Sequence, residues 1–208
     1  MGYPIVVVCG GLHPPSYNGQ ILTILATDAV LSQLPVLAFA PSWPLAVLSP
    51  YVLRQWLEER LMQLSLAPDS GPNADRVLII WAFSAGCVGA VALAEHWQRH
   101  RGQVLALFLV DGWGVPRVTR VPIHRLSHDR FTHTTSRWLG TGTLDFYADP
   151  AVPHLQLWQS PQQVNGWPVN QSDSAPGHRI MTAAEFLCQQ SQPTFSPNIQ
   201  SLSLKNTT

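Results

Sequence analysis

Arg76-Val77-Leu78-Ile79-Ile80-Trp81-Ala82-Phe83-Ser84-Ala85-Gly86-Cys87-Val88-Gly89-Ala90-Val91-Ala92-Leu93-Ala94-Glu95-His96-Trp97-Gln98-Arg99-His100-Arg101 changes its hydrophobic period in the middle. The run Val77 to Trp81 is β-branched and apolar, with the length of a buried strand. From Ala85 onward Val88, Val91, Ala92 and Ala94 to Trp97 fall at helical spacing, and polar Gln98 to Arg101 lead to Gly102, which ends the helix. Ser84 stands on the turn between them. So tight a strand-to-helix turn needs small residues two positions away on either side, and Ala82 and Gly86 supply them. The first N–H groups of the following helix lack intrahelical acceptors and point toward any negative charge developing beside Ser84.

Strands that alternate with helices in this way predict an α/β fold with a doubly wound, mostly parallel sheet. Val104 to Val110 is the next buried strand and ends at Asp111. Upstream, Ile5 to Val8 reads as the first strand, Gln20 to Gln33 as a helix, Pro35 to Phe39 as a strand, and Pro50 to about Leu64 as a helix capped by Ser49. Downstream, His154 to Trp158 reads as a strand and Thr182-Ala183-Ala184-Glu185 as a capping box that opens the last helix. Active groups in such sheets gather at the carboxyl ends of the strands, where both Ser84 and Asp111 are expected.

Ala82-Phe83-Ser84-Ala85-Gly86 resembles the nucleophile elbow of the α/β-hydrolase superfamily, Gly-x-Ser-x-Gly on a strand–turn–helix, with Ala82 in place of the first glycine. The stretch Ala106 to Gly112 resembles the strand of type I thioesterases that ends in their catalytic aspartate. Residues 191–208, polar and without hydrophobic period, read as a disordered tail, and the resemblance implies a reduced α/β-hydrolase domain over residues 1–190 with a lid at about 115–147. It implies Ser84 as nucleophile, Asp111 as the acid and His178, in the loop before the last helix, as the base. Asp145, Asp149 and Asp173 are competitors for the acid, and Asp111 before Gly112 is also ordinary turn chemistry. The oxyanion donors implied are the backbone N–H of Ala85 and that of Gly11 or Leu12 after the first strand. Trp113, Phe131 and Trp138, with Phe146, are candidates to line an acyl pocket.

The function expected on this resemblance is cleavage of a carboxylic ester or thioester through an acyl-enzyme on Ser84. A small-molecule acyl ester or thioester is then the partner. Arg117, Arg120, Arg125 and Arg130 in the lid stretch either meet an anionic group of the substrate or are simply solvated. The alternative is a catalytically silent hydrolase-fold protein that binds an apolar ligand or a protein.

Bulk properties narrow the field. The 208 residues carry 12 basic and 12 acidic side chains, and the eleven arginines form no cluster, so neither nucleic acid nor an anionic membrane is expected as a partner. The three cysteines, Cys9, Cys87 and Cys188, form no metal-binding or disulfide pattern and read as buried thiols of a reducing compartment. With no signal-peptide or membrane-span pattern, a cytoplasmic protein is expected. His124, His128, Asp129 and His133 have spacing worth weighing for a metal, but no further ligand pattern accompanies them and arginines intervene, so no metal and no cofactor is expected.

Overall fold

In the computed structural model, residues 4–41, 43–64, 76–170 and 179–192 are described. The apolar runs become the centre of an eight-stranded sheet: β1 (Ile5–Cys9), β2 (Val36–Phe39), β3 (Arg76–Phe83), β4 (Gly102–Val110), β5 (Ile123–Ser127), β6 (Leu144–Ala148), β7 (Asn165–Asn170) and β8 (Met181–Thr182). Their order is β2-β1-β3-β4-β5-β6-β7-β8. All pairs from β2 to β6 are parallel, and the last two pairs are antiparallel. Six helices accompany them among the described residues: α1 (Gly19–Thr27), α2 (Pro50–Leu64), α3 (Gly86–His100), α4 (Arg130–Arg137), α5 (Gln156–Gln159) and α6 (Ala183–Ser191).

The central strands are buried on both faces, and successive side chains alternate between two cores. Ile5, Val7 and Cys9 of β1 and Leu78, Ile80 and Ala82 of β3 pack with α2 and α3. Val6, Val8, Ile79, Trp81 and Phe83 pack on the other face with Ile21 and Leu25 of α1, Leu157 and Trp158 of α5, and Phe186 and Leu187 of α6. Each fully buried aromatic or aliphatic side chain contributes about 1.5–3 kcal/mol of transfer free energy. The two largest keep their polar atoms satisfied: the Trp81 indole N–H donates to Ser191 Oγ at 2.8 Å, and that of Trp158 to Asn18 Oδ1 at 3.0 Å.

Several expectations change in detail. The first helix stops at Thr27 because Asp28 leaves helical geometry and its Oδ1 accepts the N–H groups of Val30 and Leu31. Gly102 follows the end of α3 but also begins β4, with its Cα paired to Arg76. His154 to Trp158 is not a strand. His154 and Leu155 form a turn into α5, which buries Leu157 and Trp158; a short apolar run is equally compatible with either element by periodicity. The capping box of α6 is present, with Thr182 Oγ1 accepting the Glu185 N–H and the Glu185 carboxylate accepting that of Thr182.

The largest correction concerns residues 115–147, expected as a lid. They carry β5, α4 and β6, so this stretch supplies two strands of the sheet. Several of its polar side chains turn inward and bond to backbone groups. The buried Arg125 guanidinium donates to the carbonyls of Gly140 and Val115 at 2.8 Å each, and the Asp145 carboxylate accepts the N–H groups of Arg125 and Gly142. Cys9 and Cys87 are buried free thiols, and Cys188 is a half-buried one. No helix among the described residues is long and apolar enough to cross a membrane. The stretch expected as a disordered tail lies outside the described residues from position 193 onward.

Candidate active site

The end of β3 and the start of α3 fix Ser84 through the backbone. Its φ is +51°, a left-handed conformation that a residue other than glycine adopts only when its surroundings impose it. Its N–H donates to Val110 O at 2.8 Å and its carbonyl accepts from Cys87 N–H at 3.1 Å, tying the turn to both β4 and α3. A side chain at Gly86 would collide with the carbonyl oxygens of Gly10 and Cys9, so only glycine allows α3 to start this close to β1. Ala82 lies fully buried in the sheet core.

Asp111, at the end of the neighbouring β4, also has a positive φ, +50°. Its N–H donates to Leu126 O at 2.7 Å, and its side chain is 1% exposed. Three donors reach this buried carboxylate. Oδ1 accepts the backbone N–H of His128 at 2.9 Å, while Oδ2 accepts Nδ1–H of His128 at 2.9 Å and Nδ1–H of His154 at 2.8 Å.

The other nitrogen of His154 faces the serine: Ser84 Oγ–H donates to Nε2 at 3.1 Å. The imidazole lies against Phe83, ring centroids 4.8 Å apart, and Phe83 in turn stacks on Trp158 at 5.2 Å. The loop that carries His154 leaves the carboxyl end of β6 and is anchored by Val152 N–H donating to His128 O at 3.0 Å. Ser84, His154 and Asp111 thus form one hydrogen-bonded chain from a hydroxyl to a buried carboxylate. Such a chain can withdraw the serine proton and hold the resulting imidazolium.

Sequence reasoning singled out Ser84 and Asp111, which the fold brings together, and missed His154. His178, chosen as base, lies outside the described residues, as does Asp173. The signal for His154 was present, since Phe146-Tyr147-Ala148 reads as the end of a strand once 115–147 is not taken for a lid. Among the competing carboxylates, Asp145 accepts hydrogen bonds from two backbone N–H groups, and Asp149 accepts Trp167 Nε1–H at 3.0 Å. Burial pushes the Asp145 carboxyl above the ordinary range, against those hydrogen bonds and the neighbouring Arg125 charge.

Around the chain opens a cleft of about 350 Å³ lined by Ser84, Asp111, Trp113, His128, Phe131, Thr132 and His154. Trp113 and Phe131 border it, with the Trp113 indole N–H fixed to Thr135 Oγ1 at 3.1 Å. Trp138 does not line it and is 80% exposed, while Phe146 is fully buried in the sheet core. These last two are corrected because α4 directs Trp138 to solvent and β6 turns Phe146 inward.

Two of the residues expected as oxyanion donors, Ala85 and Gly11, lie beside Ser84. Ala85 caps α3, and Gly11 comes so near Ser84 that a Cβ there would lie 2.9 Å from Ser84 Cβ. The Gly11 N–H donates to His13 Nε2 at 3.0 Å, and His13 Nδ1–H donates to Pro14 O at 2.9 Å. Leu12 is 53% exposed beside them.

Of the histidines weighed for a metal, His124 and His133 point elsewhere. His124 Nδ1–H donates to Leu144 O and its ring stacks on Phe108, while His133 packs against Tyr147. Burial, then the charges of Arg137 and Arg130, lowers the His133 pKa to about 4. Arg125, expected in the lid, is 2% exposed and bound to carbonyls, so it cannot meet a substrate charge. The chain matches no protein-family model, and no curated protein matches it.

Proposed function

We propose that the chain is a serine hydrolase of the α/β-hydrolase type, cleaving a carboxylic ester or thioester through an acyl-enzyme on Ser84. The observation that carries this reading is the hydrogen-bonded chain Ser84 Oγ, His154 Nε2, His154 Nδ1, Asp111 Oδ2, with its two contacts of 3.1 and 2.8 Å. In the proposed reaction His154 Nε2 takes the Ser84 proton as Oγ bonds to the acyl carbon. Asp111 keeps the imidazole in the Nδ1–H tautomer and stabilises the imidazolium. The Ala85 N–H and one from the Gly11/Leu12 loop receive the oxyanion, and the His154 proton then leaves with the alcohol or thiol. Water, deprotonated by the same histidine, releases the acid.

Trp113 and Phe131 offer an apolar surface for the acyl group. Of the four arginines considered for an anionic substrate group, Arg117, Arg120 and Arg130 are exposed, but none of them lines the cleft, and Arg117 donates to Thr141 O at 2.9 Å.

One observation favours the second reading, a silent binding protein: the Gly11 N–H is already engaged by His13 Nε2. Labelling with a fluorophosphonate probe separates the two. The expected result is a single adduct mapped to Ser84 and absent from Ser84→Ala. A folded protein that takes up no probe would leave only the binding reading.

A further inference from the structure

Asp111 holds one histidine more than a proton relay needs. Oδ2 of this buried carboxylate is met by the Nδ1 atoms of both His128 and His154, and the three potential ligand atoms lie within 4.8 Å of one another. They come from three different loops, at the carboxyl ends of β4, β5 and β6, and open into the cleft beside Trp113 and Phe131. We propose that Asp111, His128 and His154 form an inhibitory site for a divalent transition-metal ion of the zinc class.

The donor set suits such an ion. Two imidazoles and one carboxylate, with a further position open to solvent or substrate, match its preference for nitrogen and oxygen ligands in tetrahedral geometry. Bonds of about 2.0–2.1 Å separate tetrahedral ligand atoms by about 3.4 Å. The two Nδ1–Oδ2 contacts of 2.9 and 2.8 Å therefore need to widen by only about half an ångström. Asp111 supplies negative charge in a place that water does not screen, with its side chain 1% exposed.

Both imidazoles also have an outer partner for the nitrogen that does not bind metal. His128 Nε2 lies 3.4 Å from Asp129 Oδ2, and His154 Nε2 lies 3.1 Å from Ser84 Oγ. The nearest buried cation, Arg125, spends its guanidinium on the carbonyls of Gly140 and Val115.

Inhibition follows from the proton count. In the hydrogen-bonded chain His154 carries its proton on Nδ1 and offers the Nε2 lone pair to Ser84. A metal on Nδ1 needs a lone pair on that same atom, so the proton moves from Nδ1 to Nε2 and none is gained or lost by the ring. An Nε2–H imidazole cannot accept the Ser84 proton, and the carboxylate that oriented the ring is now shared with the ion. Metal binding and serine activation are then mutually exclusive.

Binding is independent of the hydrolase reading, whereas the inhibition rests on it, so the test measures each separately. Chelator-treated protein is titrated with Co²⁺, followed by its visible absorption, and with Zn²⁺ in competition. The expectation is one tight equivalent, weakened roughly tenfold in Ser84→Ala and in Asp129→Asn, and weakened by at least about a hundredfold in His128→Ala and Asp111→Asn. Because Asp111→Asn can disturb the β4 turn, His128→Ala is the deciding variant.

Unchanged binding in His128→Ala overturns the site. Loss of binding in His96→Ala instead assigns the ion to the His96 and His100 pair on α3, whose rings are 4.9 Å apart. In the second arm, Zn²⁺ at the same concentrations is expected to abolish ester hydrolysis by the wild type, with full recovery on adding chelator. A bound ion that leaves the rate unchanged overturns the inhibition. If the metal-free protein hydrolyses no ester, the serine-hydrolase reading fails while the cobalt titration still decides the site.

Discussion

The two halves of the sheet hold their functional groups by different means. The central strands β1, β3 and β4 are apolar and largely buried, and Ser84 is positioned by backbone: a positive φ, a glycine at 86 and hydrogen bonds to Val110 of β4 and Cys87 of α3. β5 and β6 lie in a polar stretch instead: of the eleven buried polar residues among the described residues, eight fall between Thr119 and Asp145. There buried side chains are satisfied by backbone carbonyls and amides, and His154 is positioned by one carboxylate and one aromatic face. Ser84 is therefore secured by backbone packing and His154 by hydrogen bonding. Changes in the first half should cost stability, while changes to the groups that hold His154 should cost rate.

The largest effect expected is on rate. Asp111→Asn removes the acceptor that fixes the His154 tautomer, and esterase kcat/KM is predicted to fall by a factor on the order of 10⁴. A drop of less than about tenfold, in a variant with native circular dichroism, would mean that the carboxylate does not orient the base.

In the first half the corresponding change is steric. Gly86→Ala forces a methyl group against the Gly10 and Cys9 carbonyls, and a stability loss of about 3 kcal/mol in denaturant unfolding is expected. Wild-type stability in this variant would show that the turn can relax, and the backbone account of Ser84 would lose its basis.

That contrast also explains what could be read from the sequence. The β3–turn–α3 unit was legible because burial on both faces demands a continuous apolar run, and the turn demands small residues around Ser84. Asp111 was legible for the same reason, at the end of an equally apolar β4. The stretch 115–147 was not. Its arginines, histidines and threonines have the composition of a solvated surface, and only the structure shows Arg125 satisfied by carbonyls and Asp145 by amides. Once β6 was hidden in a supposed lid, the loop following it could not be recognised as the carboxyl edge of a strand, and His154 was read as the start of a strand instead.

The polar half also predicts an acid sensitivity. His133 is buried with its pKa lowered to about 4 from 6.5, so the unfolded chain binds the proton more readily than the folded one. Stability then rises with pH between those values and falls as pH drops from 6.5 toward 4, because the folded state must stay neutral at this position. The loss expected is roughly 2 kcal/mol by pH 4.5. His133→Phe should flatten that part of the stability profile, measured by urea unfolding between pH 4.5 and 7. An unchanged slope would place the proton-linked step at another group.

The claim that His154 activates Ser84 is tested most directly by the rate at which a fluorophosphonate labels Ser84 in three proteins: wild type, His154→Ala and His178→Ala. The account predicts that labelling slows by at least about a thousandfold in His154→Ala, as loss of a general base implies, and stays within about twofold of wild type in His178→Ala. Fast labelling in His154→Ala together with slow labelling in His178→Ala would contradict it and return the base to the loop before the last helix.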